Sequence, residues 1–221
     1  MNKKVQALAV SGVLTVGVIG GTLAWFTSQD SVKNPFNTAS NGENGKGIKI
    51  VEEFIEPKNM LPGDEVNKDV QVKNTATYDQ FIRVKLTPTF VDPKNGDRKK
   101  ITQREVDGET YDLDTSKIKL KFKNLAVDKG NETWFKMDGD NHYYYIGKVA
   151  PNELTKMLLD SVTLVDNAGN EYRGIGFDID VEAESTQASH GAYKEWTTDR
   201  ELLNKFEELE KQGVVEPRDN K

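Results

Sequence analysis

The chain has 221 residues, no cysteine and a formal net charge of −6, from 30 Lys+Arg and 36 Asp+Glu. The missing thiols exclude a disulfide scaffold, a thiolate metal site and a cysteine nucleophile. The acidic balance argues against nucleic acid and anionic lipid as partners, and the interleaved signs describe a solvated surface rather than an acidic tail.

Lys3 and Lys4 open the chain, and no further charge appears until Asp30. Between them lies the apolar run Val5–Ile19, followed by Gly20-Gly21-Thr22-Leu23-Ala24. A basic start, an apolar stretch and a small-residue exit form the layout of a secretory signal peptide over residues 1–24. The peptidase subsites at −1 and −3 are shallow, and Ala24 and Thr22 fit them. Cleavage is therefore expected between Ala24 and Trp25, with a cut after Trp25 ranked second. The competing reading is a retained membrane anchor, since the uncharged window reaches the ~20 residues a span needs. Gly12, Gly17, Gly20, Gly21, Ser11 and Thr15 thin that run, and no basic cluster follows Trp25. The expectation is a protein secreted by a Gram-positive-type cell, in contact with membrane only before signal cleavage.

Residues 25–46 read as an arm and a hinge. Trp25, Phe26, Val32 and Phe36 are apolar but separated by polar residues, and Asn41–Gly47 is rich in Asn and Gly. Such an arm has three fates: an edge strand of its own domain, disorder, or a strand added to a neighbour's sheet. Ordering it costs roughly 1–2 kcal/mol per residue. Burying Trp25, Phe26 and Phe36 returns about 1.5–3 kcal/mol each.

From Ile48 onward the period is mostly two. Ile48–Ile55, Val66–Val72, Phe81–Thr87, Ile118–Lys123, Trp134–Met137, His142–Val149, Met157–Val165 and Ile175–Ala183 predict about eight strands. Pro62-Gly63-Asp64, Asp92–Asp97, Asp138–Asn141 and Asp166–Asn170 supply turns. The expected fold is all-β, an antiparallel jelly-roll sandwich over residues 47–190. Arg98–Ser116 is expected to be a charged irregular excursion or short helix. In residues 191–221, Thr198-Asp199 is placed to cap a helix running to about Gln212, with Leu202, Leu203, Phe206 and Leu209 on one face and a tail after it.

Catalytic chemistry finds little support. His142 and His190 are the only histidines, and there is no H-E-x-x-H and no G-x-S-x-G. His142 reads as a half-buried edge residue and His190 as a loop residue. Asp138–Asn141 and Asp166–Glu171 lack the alternating ligands and closing Glu of a calcium loop and read as plain hairpin turns. No catalytic residue, metal ligand or cofactor is expected. In Tyr143-Tyr144-Tyr145 the outer two face one side and Tyr144 the other.

Gly20-Gly21-Thr22-Leu23-Ala24-Trp25-Phe26-Thr27-Ser28 resembles the GGT-x-A-aromatic-F-[ST]-D signature of the TasA/camelysin family, with Ser28 where Asp is usual. Leu61-Pro62-Gly63-Asp64, followed by Asn67–Asn74, is similar to that family's L-x-PGD block. Val181–Ala188 is more weakly similar to its closing strand. The resemblance implies an exported jelly-roll subunit of extracellular biofilm-matrix fibres, released by a SipW-type signal peptidase. It implies a homopolymer built by strand addition, the donor arm carrying Trp25, Phe26, Val32 and Phe36, with minor fibre subunits as further partners. Some members are described as metalloendopeptidases, which keeps a secreted protease as the alternative beside a monomeric surface adhesin.

Overall fold

The computed structural model describes residues 30–33, 47–54, 62–92 and 99–212. Thirteen strands and one helix fall within them: β1 (Asp30–Lys33), β2 (Ile48–Phe54), β3 (Glu65–Asn74), β4 (Gln80–Asp92), β5 (Lys99–Ile101), β6 (Gln103–Val106), β7 (Glu109–Asp112), β8 (Ile118–Phe122), β9 (Leu125–Ala126), β10 (Trp134–Lys136), β11 (His142–Tyr145), β12 (Leu159–Leu164), β13 (Gly176–Gln187) and α1 (Arg200–Lys211). The eight predicted strands correspond to β2, β3, β4, β8, β10, β11, β12 and β13.

Two sheets face each other. One runs β1-β13-β4-β11-β10-β9, with β5 also on β4; the other runs β2-β3-β12-β8. The sandwich and the C-terminal helix agree with the expectation. Pure antiparallel pairing does not, because β1 lies parallel to β13 and β9 parallel to β10. The longest ladder joins β13 to β4 from Gly176↔Val91 to Gln187↔Gln80.

Alternation places the core. On β3, Val66, Val70 and Val72 turn inward while Asn67, Asp69 and Gln71 turn out. They meet Ile82, Val84, Leu86 and Phe90 of β4, Phe177, Ile179, Val181 and Ala183 of β13, and Trp134, Tyr143 and Tyr145. Tyr144 points the other way, into a second apolar cluster of Phe81, Ile146, Tyr193, Trp196, Leu202, Phe206 and Leu209. The helix therefore makes a third layer, and the tyrosine strand has core on both faces. The Asp199 carboxylate caps α1 by accepting from the Leu202 N–H at 2.7 Å, at the predicted start.

Three local expectations are corrected. Arg98–Ser116 is not an irregular excursion or helix: it holds β5, the β6–β7 hairpin and a 3-10 turn at Thr115–Lys117. Its charged residues hid a two-stranded ribbon whose faces are largely solvated. Asp166–Glu171 is not a hairpin turn, because β12 and β13 belong to different sheets and the segment arches between them. His142 is half-buried as expected but does not sit on an edge strand, since β11 lies between β4 and β10.

Candidate functional site

The outer side of β13 is the candidate. β1 lies along it in parallel register: Asp30↔Val181, Ser31↔Glu182, Val32↔Ala183, Lys33↔Glu184. Val181 and Ala183 belong to the inter-sheet core, so this stretch of β13 needs a neighbour on its open side. β1 also lies against β2 of the facing sheet. Among the described residues, Gly176–Asp180 and Ser185–Gln187 of β13 have no strand on that side. Of the expected donor-arm residues, Val32 is in β1, while Trp25, Phe26 and Phe36 lie outside the described residues, as do Ala24 and the expected signal segment.

The Leu61–Asn74 block reads as architecture. Leu61 lies outside the described residues. Gly63 has φ +93°, donates its N–H to the Leu164 carbonyl at 2.7 Å, and would bring an added Cβ to 3.3 Å from the Cβ of Asp166. A turn with that φ and so little room selects glycine. Asn74 is fully buried at the end of β3. Its amide donates to the carbonyls of Tyr78 at 2.8 Å and Val149 at 2.7 Å, and its Oδ1 accepts from the Ala76 N–H at 2.8 Å. It holds the loop carrying the chain from one sheet to the other.

On the outer face of β4 and β13 a polar cluster joins the sheet to the helical layer. Arg83 donates to Glu184 from Nε at 2.9 Å and Nη2 at 2.6 Å, and from Nη1 to the Trp196 carbonyl at 3.2 Å. Its guanidinium lies 5.0 Å from the Trp196 ring centroid. Tyr144 donates to Asp140, and burial pushes its phenol far above the usual value. Burial first, then the Arg83 charge, hold His142 below the usual imidazole value.

These groups do not form a metal centre. Both Asp140 oxygens are engaged, one by the His142 backbone N–H at 2.8 Å and the other by Tyr144. His190 is exposed in a left-handed loop position with its Nδ1 3.0 Å from Ser189 Oγ. Among the described residues, which include both histidines, no group of three or more His, Asp or Glu side chains is placed to hold a metal ion. The described residues thus offer no ligand set for a zinc ion. No described helix is long and apolar enough to cross a membrane.

Comparison with known proteins gives one family. The camelysin metallo-endopeptidase profile matches residues 1–132, which takes in the first two of the three motif resemblances and leaves Val181–Ala188 outside. No curated protein matches the chain. A solved structure, the ASH/PapD-like domain 7 of human CEP192, aligns at 8% identity over 82% of this chain and 97% of that one, with a TM-score of 0.29. That likeness is too loose to carry anything about fold detail or function.

Proposed function

This chain belongs to the camelysin metallo-endopeptidase family, and from that premise we propose that it is a secreted structural subunit, one that polymerises by lending its N-terminal arm to the sheet of the next copy. The observation that carries the reading is the β1–β13 pairing. A four-residue segment, separated from β2 by residues 34–47, pairs with four of the twelve residues on the open side of β13. The same slot in another copy presents the same backbone groups. Residues 34–46 reach at most about 45 Å when extended, enough to deliver the strand to a neighbouring domain.

The energetics favour exchange. Each ladder hydrogen bond contributes roughly 0.5–1.5 kcal/mol net, whereas fixing each residue costs roughly 1–2 kcal/mol. Four paired residues are therefore weakly held, and an arm from a second copy replaces them with little loss. Because donor and acceptor surfaces differ, the contact is heterologous and propagates head to tail.

Cleavage after Ala24 by a SipW-type peptidase then frees the arm and starts assembly in the extracellular matrix or at the cell surface, with minor subunits as further partners. The test is to delete Trp25–Ser40. The shortened chain is expected to stay folded and sediment as a monomer, while the chain beginning at Trp25 forms larger species. Equal polymerisation by the shortened chain would sink the proposal. Casein hydrolysis with and without chelator addresses the peptidase activity that the family's description names.

A further inference from the structure

β1 reaches only the middle of β13. Its register is parallel and one for one, from Asp30↔Val181 to Lys33↔Glu184. Among the described residues, no strand covers Gly176–Asp180 on that side. Yet Phe177 and Ile179 lie in the same inter-sheet core as Val181 and Ala183 beside β1. A sheet edge bordering a core is a template for a further strand.

The chain just before β1 matches this stretch by count. In the same register, Gln29 falls opposite Asp180, and Trp25 falls opposite Gly176, the first residue of β13. Neither proline nor glycine occurs from Trp25 to Gln29. Toward the other end the count puts Pro35 opposite Thr186, and a residue without an N–H is a poor member of a ladder. The extension therefore belongs on the N-terminal side. Parity agrees with the count. Val32 stands opposite Ala183 of the core row, and Phe26 falls opposite Phe177 of the same row. A slip of one residue would exchange the two faces and lose that match. The edge also has an end: Gly174, at φ +69°, turns the chain out of the extended run.

We propose that Gly176–Asp180 is the docking edge for Trp25–Gln29 of a neighbouring copy's arm, in the register that β1 sets. Cleavage after Ala24 then does more than free the arm. It leaves a chain whose first residue is level with the start of β13, whereas an attached leader runs past Gly174, where the extended edge has ended. This register rests on the strand-exchange reading above and adds to it the length of the pairing and the place of the cut.

The test compares the chain beginning at Trp25 with one beginning at Asp30, which keeps β1. Sedimentation gives the concentration each needs to assemble, and hydrogen exchange reads the Gly176–Asp180 amides where the longer chain is assembled. The shorter chain is expected to need at least ~10-fold more protein. Its Gly176–Asp180 amides are expected to exchange faster than those of the longer chain. In the longer chain, Thr27→Pro together with Ser28→Pro keeps Trp25 and Phe26. Of two adjacent strand positions one turns its N–H toward β13, so this pair removes a ladder donor and is expected to act like the truncation. Equal protection of Gly176–Asp180 in the two chains, or an unaffected double-proline chain, would overturn the proposal while leaving exchange through β1 standing. A chain beginning at Trp25 that never assembles would overturn both.

Discussion

Asn74 shows how a family motif residue acts through hydrogen bonding alone. Its side-chain amide feeds two carbonyls and its oxygen takes one N–H. Asn74→Asp keeps the shape and replaces both donors with a carboxylate aimed at carbonyl oxygens. The expected loss is about 3 kcal/mol, or a Tm lower by about 10 °C, read by thermal melts at neutral pH. His142 makes a second prediction. Its imidazole is held below 6.5 by burial and by Arg83, against the opposite pull of Asp140 and Glu184. The unfolded chain therefore binds the proton more readily, so the stability tied to this group is full above pH 6.5 and drains as pH falls below it. His142→Gln should flatten the fall in Tm between pH 7 and 5. An unchanged slope would mean that the imidazole titrates alike in both states.

At the scale of elements, α1 depends on one aromatic nest. Phe206 is fully buried, with its ring 4.6 Å from Phe81 and 5.5 Å from Tyr193. Phe206→Ala should cost about 3–5 kcal/mol, measured by denaturant unfolding. The apolar stripe of this helix and its Asp199 cap were readable from period and spacing, and so were eight strands, because they concentrate β-branched and aromatic residues, most of them alternating with polar ones. β6 and β7 were not readable: Gln103–Val106 and Glu109–Asp112 have little apolar face, and they are held by cross-strand pairing and by Arg104, which donates to the Glu171 carbonyl at 3.0 Å. The arm was readable as an unusual segment, but its partner strand was not, since pairing register is a property of two distant segments. Val32→Pro tests that pairing. It removes one backbone donor at the middle of β1 and is expected to leave the sandwich folded while blocking assembly, as judged by sedimentation.

The whole molecule is a three-layer β protein without a disulfide, held by a large inter-sheet core and a second core beneath the helix. Its outer charges are matched locally, as where Lys121 meets both Glu65 and Asp160. What the sandwich leaves incomplete is the side of β13, and β1 covers its middle, Val181–Glu184. The pairing was half legible in the sequence: the segment around Val32 stands out as a local pattern, whereas the open side exists only once β13 has paired with β4 and buried Val181 and Ala183. Assembly through the N-terminal arm is the central expectation. Negative-stain electron microscopy of purified chain beginning at Trp25, incubated alone at rising concentration, tests it most directly. Regular thin filaments are the predicted result; compact monomers at every concentration would contradict it.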